Sequence, residues 1–559
     1  MERTLAATGL IEKAEVQFGA HHNVQFGGVL LAVPALLSQG LMEATEIYQS
    51  FPNGYYGIEH VFMLLSFMSL LRIKSPEQIK QSSPGELGKI LGLDRAPEVK
   101  TLRRKISMIV AQKKAEAFQQ ALFQKWTQKD PCVFFYIDGH VRIYSGSEAN
   151  LGRKFVSRQK LCLAGTTEYW VNDEMGLPLM CVIGQLNEKL RDAIELEIVP
   201  RLLREIAPHP DQNLFPDQPR FTLIFDREAY EPAFFARLWI LYRIAVITYR
   251  KNVKDSWPQI DFEEVETQVI GNSVKMQLCE KNTELGGHSF REIRKQSEDG
   301  HQASIITTHP SLKTAQIAGK MFSRWSQENF FRYLLENFNF DRLLQYGTEE
   351  LPDEIEVVNP AYSQLNYKIK KIREKKARQE AHLLNRIEEN ADQLLEKISD
   401  LIASESKITE KIQILGTELE ALLMERKNTP ARIKIKDMVQ EKRYNKLKSE
   451  SKLFINIIKM IAYRAETALF NLIKPFFANT SQEGRMLIKA ILTSDADLIP
   501  DYPNQILTIV LHTQSTPRKN KAASQLCTIM NEAEEVYPGT TLKMVFKTHP
   551  DQFATSQEF

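Results

Sequence analysis

Three acidic residues stand where this sequence could act on phosphate. Asp138 closes the apolar run Val133-Phe134-Phe135-Tyr136-Ile137, and Asp226 closes Phe221-Thr222-Leu223-Ile224-Phe225. Each run reads as a buried strand, and ligands of open α/β sheets collect beyond the carboxyl ends of strands. Strand-ending aspartates are also common turn starters, so neither motif is specific alone. The third acid, Glu328, lies in Met321–Tyr346, which has no Gly or Pro and repeats apolar residues at helical spacing. That pattern predicts one continuous helix. Arg324 and Glu328 are four residues apart and share a face of it. Glu328 falls among Trp325, Phe330, Phe331 and Leu334, where a charge needs a partner. Arg324 is one partner and a metal ion is another; a surface ion pair is the plain alternative. Converging carboxylates repel unless cations lie between them, and hard oxygen donors suit Mg2+ or Mn2+. Two such ions would generate a nucleophile and stabilise the leaving oxygen of an in-line phosphodiester displacement.

These motifs resemble a known family. Tyr136-Ile137-Asp138-Gly139-His140, Phe225-Asp226-Arg227-Glu228 and Arg324-x3-Glu328 look like the three acidic motifs of DDE transposases, in the ribonuclease H-like superfamily. The bacterial insertion-sequence branch with a β-rich insertion before its glutamate is the nearest in pattern. Its Tyr-x2-Arg-x3-Glu-x6-Lys signature is matched at Arg324 and Glu328, while Met321 and Leu335 stand at the Tyr and Lys positions. The resemblance covers roughly residues 130–345. It implies Asp138, Asp226 and Glu328 as catalytic residues and ligands of two Mg2+ (or Mn2+) ions, with Arg324 on DNA phosphate. It implies nicking of double-stranded DNA at transposon ends, strand transfer into target DNA, and a homodimer in synapsis. The alternatives are a domesticated, non-cleaving DNA-binding scaffold of the same fold, or another ribonuclease H-fold nuclease. Asp173 reads as a hairpin-turn residue, Glu228 lies too close to Asp226 to be the third acid, and His140 is open between site and strand roles.

The elements that must position these residues divide the 559-residue chain into a multi-domain α/β protein. Residues 1–130 read as a helical, DNA-binding domain. In it Arg103, Arg104 and Lys105 crowd the start of a helix that could read a groove or simply form a solvated basic face. Residues 131–250 read as the first part of the catalytic domain, 251–310 as a β-rich insertion, and 311–350 as the second part with the glutamate helix. The basic run Arg153, Lys154, Arg158 and Lys160 follows the first acid and is a further DNA-binding candidate. Residues 364–478 carry a heptad seam from Leu384 to Leu422, then a second helical pattern after Pro430. Together they predict a long antiparallel coiled-coil hairpin with its tip at Pro430. Residues 481–559 read as a small α/β region.

Net charge is +2, so any nucleic-acid role rests on local basic patches. Five scattered cysteines without a CxxC pair argue against a disulfide framework. The start of the chain lacks a signal-peptide pattern, and the apolar runs Val29–Leu37 and Val61–Leu71 are too short to span a bilayer. A cytoplasmic, nucleoid-associated protein with no membrane partner is the expectation.

Overall fold

The structure, a computed structural model, describes residues 2–549 apart from 130–132, 145–150, 152, 157–160, 186–187, 209–213, 216, 339–347, 352, 355, 392–397, 441–442 and 478–480. Its centre is a ten-stranded mixed sheet. The strands are β1 (Phe134–Ile143), β2 (Arg153–Val156), β3 (Leu161–Asn172), β4 (Pro178–Gln185), β5 (Phe221–Phe225) and β6 (Ile244–Tyr249), followed by β7 (Glu263–Val269), β8 (Asn272–Leu285), β9 (His288–Gln296) and β10 (Gln302–Thr307). β1, β3 and β4 are antiparallel neighbours, whereas β1, β5 and β6 run parallel side by side. Parallel neighbours need a crossover, supplied by the helical segment Leu190–Glu205 and then by a helix at Pro232–Tyr242.

Alternation along β1, β5 and β6 divides their side chains between two cores. Phe135, Ile137, Leu223, Phe225, Ile244 and Val246 join the main core. Tyr136, Ile224 and Ile247 point to the other face, against Met276, Ile293, Ile305, Ile317 and Met321. Strands buried on both faces read as unbroken apolar runs, which is why these three were legible in the sequence.

The insertion differs from the expectation of a separate small unit. β10 pairs with β6, and β9, β8 and β7 follow in antiparallel order, so the four strands widen the central sheet. The helices that follow also differ from the one continuous helix expected. One runs Thr314–Ser323 and the next Trp325–Phe338, with Arg324 between them. No Gly or Pro causes the break. It falls where the chain leaves the smaller core, held by Ile317 and Met321, for the main core, held by Phe330, Phe331 and Leu334.

The long hairpin is present but its tip is elsewhere. Helices Pro360–Ala391 and Ile398–Asn428 lie antiparallel, with Arg426 donating to Asn366 Oδ1 at 3.2 Å; the segment that links them lies outside the described residues. Pro430, the expected tip, sits at the base instead, where its carbonyl accepts from Asn359 at 2.9 Å and Glu356–Val358 pairs with Arg432–Lys434. The expected second arm is a core helix, Glu450–Phe477. Phe454, Ile457, Ile461, Ala465 and Leu469 are all buried, and a helix apolar on most sides belongs inside a protein.

The two terminal regions, expected as separate domains, share one sheet. His21–Val24 pairs with Ala496–Asp501, which is followed by Ile506–Leu511 and Lys543–Thr548. Gly28 packs so closely on the Ile491 carbonyl that a β-carbon would collide with it. Among the described residues no single helix is long and apolar enough to cross a membrane.

Candidate active site

Strand geometry assembles the site. Ile137 lies opposite Phe225, and Phe225 opposite Thr248, so Asp138, Asp226 and Tyr249 are the next residues along three adjacent parallel strands. By alternation all three face the smaller core, which the Thr314–Ser323 helix covers. That helix ends by delivering Arg324 to the same face. Its Nη1 lies 3.6 Å from Asp138 Oδ2, and its Nη2 donates to Glu328 Oε1 at 3.2 Å. The four sequence-predicted residues Asp138, Asp226, Arg324 and Glu328 therefore share one site, with the guanidinium between the first and third acids.

Asp138 was expected to end its strand and does not. β1 continues to Ile143 because Asp138–Ile143 pair with Trp170–Gly165 of β3; only the parallel ladder with β5 stops at the acid. Glu328 is also more exposed than the apolar residues around it suggested. Its side chain is 41 % exposed, while Phe330, Phe331 and Leu334 turn inward and Trp325 turns out.

Electrostatics link the acids. Burial pushes the Asp138 carboxyl up to about 6; Arg324 and the Gly139 N–H oppose this, and the charges of Asp226 and Glu328 add to it. Asp138 Oδ1 accepts from Gly139 N at 2.9 Å, and Asp226 Oδ1 accepts from Arg227 N at 2.7 Å, which fixes both carboxylates where the parallel ladder stops. Burial also pushes the Tyr249 phenol up; Arg324 opposes and Asp226 and Glu328 reinforce it. Tyr249 was missed in the sequence, where it reads only as the last residue of a buried strand. Three carboxylates of like charge, two of them on the Arg324 guanidinium, form a donor set that suits a hard divalent cation. Arg324 Nε, buried, has no hydrogen-bond partner among the described residues.

The other candidates lie elsewhere. Arg103 and Arg104 are exposed on the helix Val99–Ala111, and Arg103 Nε donates to Glu77 at 2.9 Å. Lys105, expected on that basic face, turns inward; its ammonium sits 4.1 Å from the centre of the Phe51 ring. Arg153 and Lys154 lie in β2, and Arg158 and Lys160 lie outside the described residues. Asp173 Oδ1 accepts from Met175 N and Leu177 N, both at 2.9 Å, as a turn residue does. His140 is buried and stacks on Phe331 at 5.4 Å.

A mixed sheet with three acids gathered where its parallel ladder stops defines a large α/β protein. A family described as "Transposase protein" matches residues 1–549, and the chain belongs to that transposase family. No curated protein matches the sequence. Among solved structures, a cryo-EM structure of the piggyBac transposase synaptic complex with hairpin DNA is similar at 8 % identity. That match covers 84 % of this chain and 81 % of the other at a TM-score of 0.29, too low to carry an argument.

Proposed function

We propose that this transposase is a DDE enzyme, cutting DNA at transposon ends and joining the freed 3′-hydroxyl to target DNA. The observation that carries the reading is the meeting of Asp138, Asp226 and the Arg324–Glu328 pair on one face of the sheet. An antiparallel trio followed by two parallel crossovers agrees with a ribonuclease H-like domain, and four added strands between Asp226 and Glu328 agree with the insertion-bearing branch. Asp138, Asp226 and Glu328 would hold two Mg2+ or Mn2+ ions. When bound, such ions supply an activated nucleophile and neutralise charge on the transferring phosphoryl group.

The chain's own residues set the geometry. Backbone N–H groups fix the Asp138 and Asp226 carboxylates, and the sheet holds them in register, which is the positioning that phosphoryl transfer depends on. Arg324, at the acidic site, would take a DNA phosphate oxygen beside the cut. Arg103 and Arg104, with Arg153, Lys154, Arg158 and Lys160, would contact the DNA backbone away from the chemistry. The hairpin would pair two ends within a homodimer, in the cytoplasm beside the nucleoid.

One observation favours a non-cleaving scaffold instead: Arg324 already partners Asp138 and Glu328. Nicking of an oligonucleotide carrying the element's end, in Mg2+ or Mn2+, decides between the two. The enzyme reading expects nicking by the natural protein and none by Asp226→Ala, with binding kept. Equal cleavage by both proteins removes Asp226 from the mechanism, and cleavage by neither supports the scaffold.

A further inference from the structure

The sheet that joins the two ends of the chain gathers a second set of metal-binding side chains, chemically unlike the first. Asp497 lies opposite Val510 in an antiparallel pair, and Leu511 lies opposite Thr548 in a parallel one. His512 and His549 are therefore the next residues past two neighbouring strand ends. Backbone bonds fix both: His512 N–H donates to Asp495 O at 3.0 Å and His549 N–H to Leu511 O at 2.9 Å. Their rings meet edge to face at 5.1 Å. His512 Nε2 is 2.9 Å from Asp497 Oδ1, and His549 Nε2 is 3.3 Å from Asp497 Oδ2. One donor atom from each of the three lies within 4.8 Å of the other two. A third imidazole arrives from the other end of the chain: His22 Nδ1 is 3.3 Å from Asp497 Oδ2. The Asn23 N–H donates to Asp497 Oδ1 at 2.9 Å and holds the carboxylate in place.

Two imidazole nitrogens and one carboxylate oxygen, with a third imidazole beside the carboxylate, form a borderline-soft set, suited to Zn2+ rather than to Mg2+. Tetrahedral Zn2+ with bonds of about 2.0–2.1 Å keeps neighbouring donor atoms about 3.3 Å apart. The observed separations of 2.9 and 3.3 Å already have that scale. We propose that Asp497, His512 and His549 bind one zinc-class transition-metal ion, and that the exposed His22, beside Asp497 on the N-terminal strand, turns its ring to complete the site and clip that strand to the C-terminal sheet. His512 and His549 follow strand ends, and Asp497 and His22 sit within strands, so the scaffold is set before the metal arrives. The site stands apart from Asp138, Asp226 and Glu328 and selects a different metal.

The test uses the full chain, stripped with a chelator and titrated with Zn2+, then with Co2+ as a spectroscopic stand-in. The expected result is one tightly bound equivalent of Zn2+, a rise in melting temperature on binding, and the intense visible absorption of tetrahedral Co2+. His512→Ala and His549→Ala should each lose that equivalent and the Co2+ signal, and His22→Gln should weaken binding roughly tenfold or more. Asp226→Ala should keep both signals, which separates this site from the proposed catalytic one. If His512→Ala does not fold, the exposed His549→Ala decides. Absence of a bound equivalent, or one that survives both alanine variants, would overturn the proposal and leave a hydrogen-bonded histidine cluster without metal.

Discussion

Arg324 ties the acidic site together, and its loss should be informative without DNA. The guanidinium is the positive partner of Asp138 and Glu328, so Arg324→Gln leaves like charges facing one another. The variant should melt at lower temperature in metal-free buffer, and Mg2+ should raise its melting temperature more than that of the natural protein. An equal rise in both would show that the guanidinium and the cation do not share the acids. Lys105 gives a second residue-level prediction. Burial, with Arg104 adding, pushes its ammonium down to about 8, below the ordinary value near 10.4. The folded state therefore binds this proton more weakly than the unfolded one. The penalty is full below pH 8 and fades between pH 8 and about 10.4, so stability on this account rises with pH in that window. Lys105→Met should gain about 1–2 kcal/mol at pH 7, discounted for solvent screening, and the gain should shrink towards pH 10. A gain independent of pH in urea titrations would refute that account.

Helices reveal where sequence patterns mislead. The Glu450–Phe477 helix reads as a coiled-coil arm because its helical pattern follows Pro430, and it carries Lys452, Lys459 and Arg464 among its apolar residues. In the structure such charges are paired inside: Lys452 approaches Glu168 at 3.7 Å, and Arg464 approaches Asp173 at 3.7 Å. Buried charge pairs between distant segments leave no spacing signal, so burial was invisible where it mattered most. The three parallel strands were legible because burial on both faces removes alternation altogether. The break at Arg324 was not, since two cores rather than a breaker residue cause it. Glu466 on the same core helix accepts from Arg72 at 2.8 Å and from the Tyr333 hydroxyl, on the helix that carries Glu328. Removing one partner of a buried pair strands the other, at a cost of about 3–5 kcal/mol. Glu466→Ala should lose that much stability in urea and lower nicking as well. A loss below about 1 kcal/mol would mean the pair is not buried as described.

The chain closes on itself, so its ends and its middle cannot be separated as the sequence implied. Residues 1–130 and 481–549 share a sheet and a core, and the Glu450–Phe477 helix packs against both these ends and β4. The hairpin is what projects from this body, joined at Asn359 and Pro430. Replacing residues 373–419 by a short Gly/Ser turn should shift the melting temperature by only about 3 °C and leave single-end nicking intact, while abolishing two-end complexes. Loss of folding would instead make the hairpin part of the core. The proposed reaction needs three carboxylates acting as one centre. Nicking rates for Asp138→Asn, Asp226→Asn, Glu328→Gln and their double variants, in saturating Mg2+, test this most directly. Each single change should cost about 10³-fold or more, and a second should add little, because residues of one unit fail together. A single variant within tenfold of the natural rate, or losses that multiply, would contradict it.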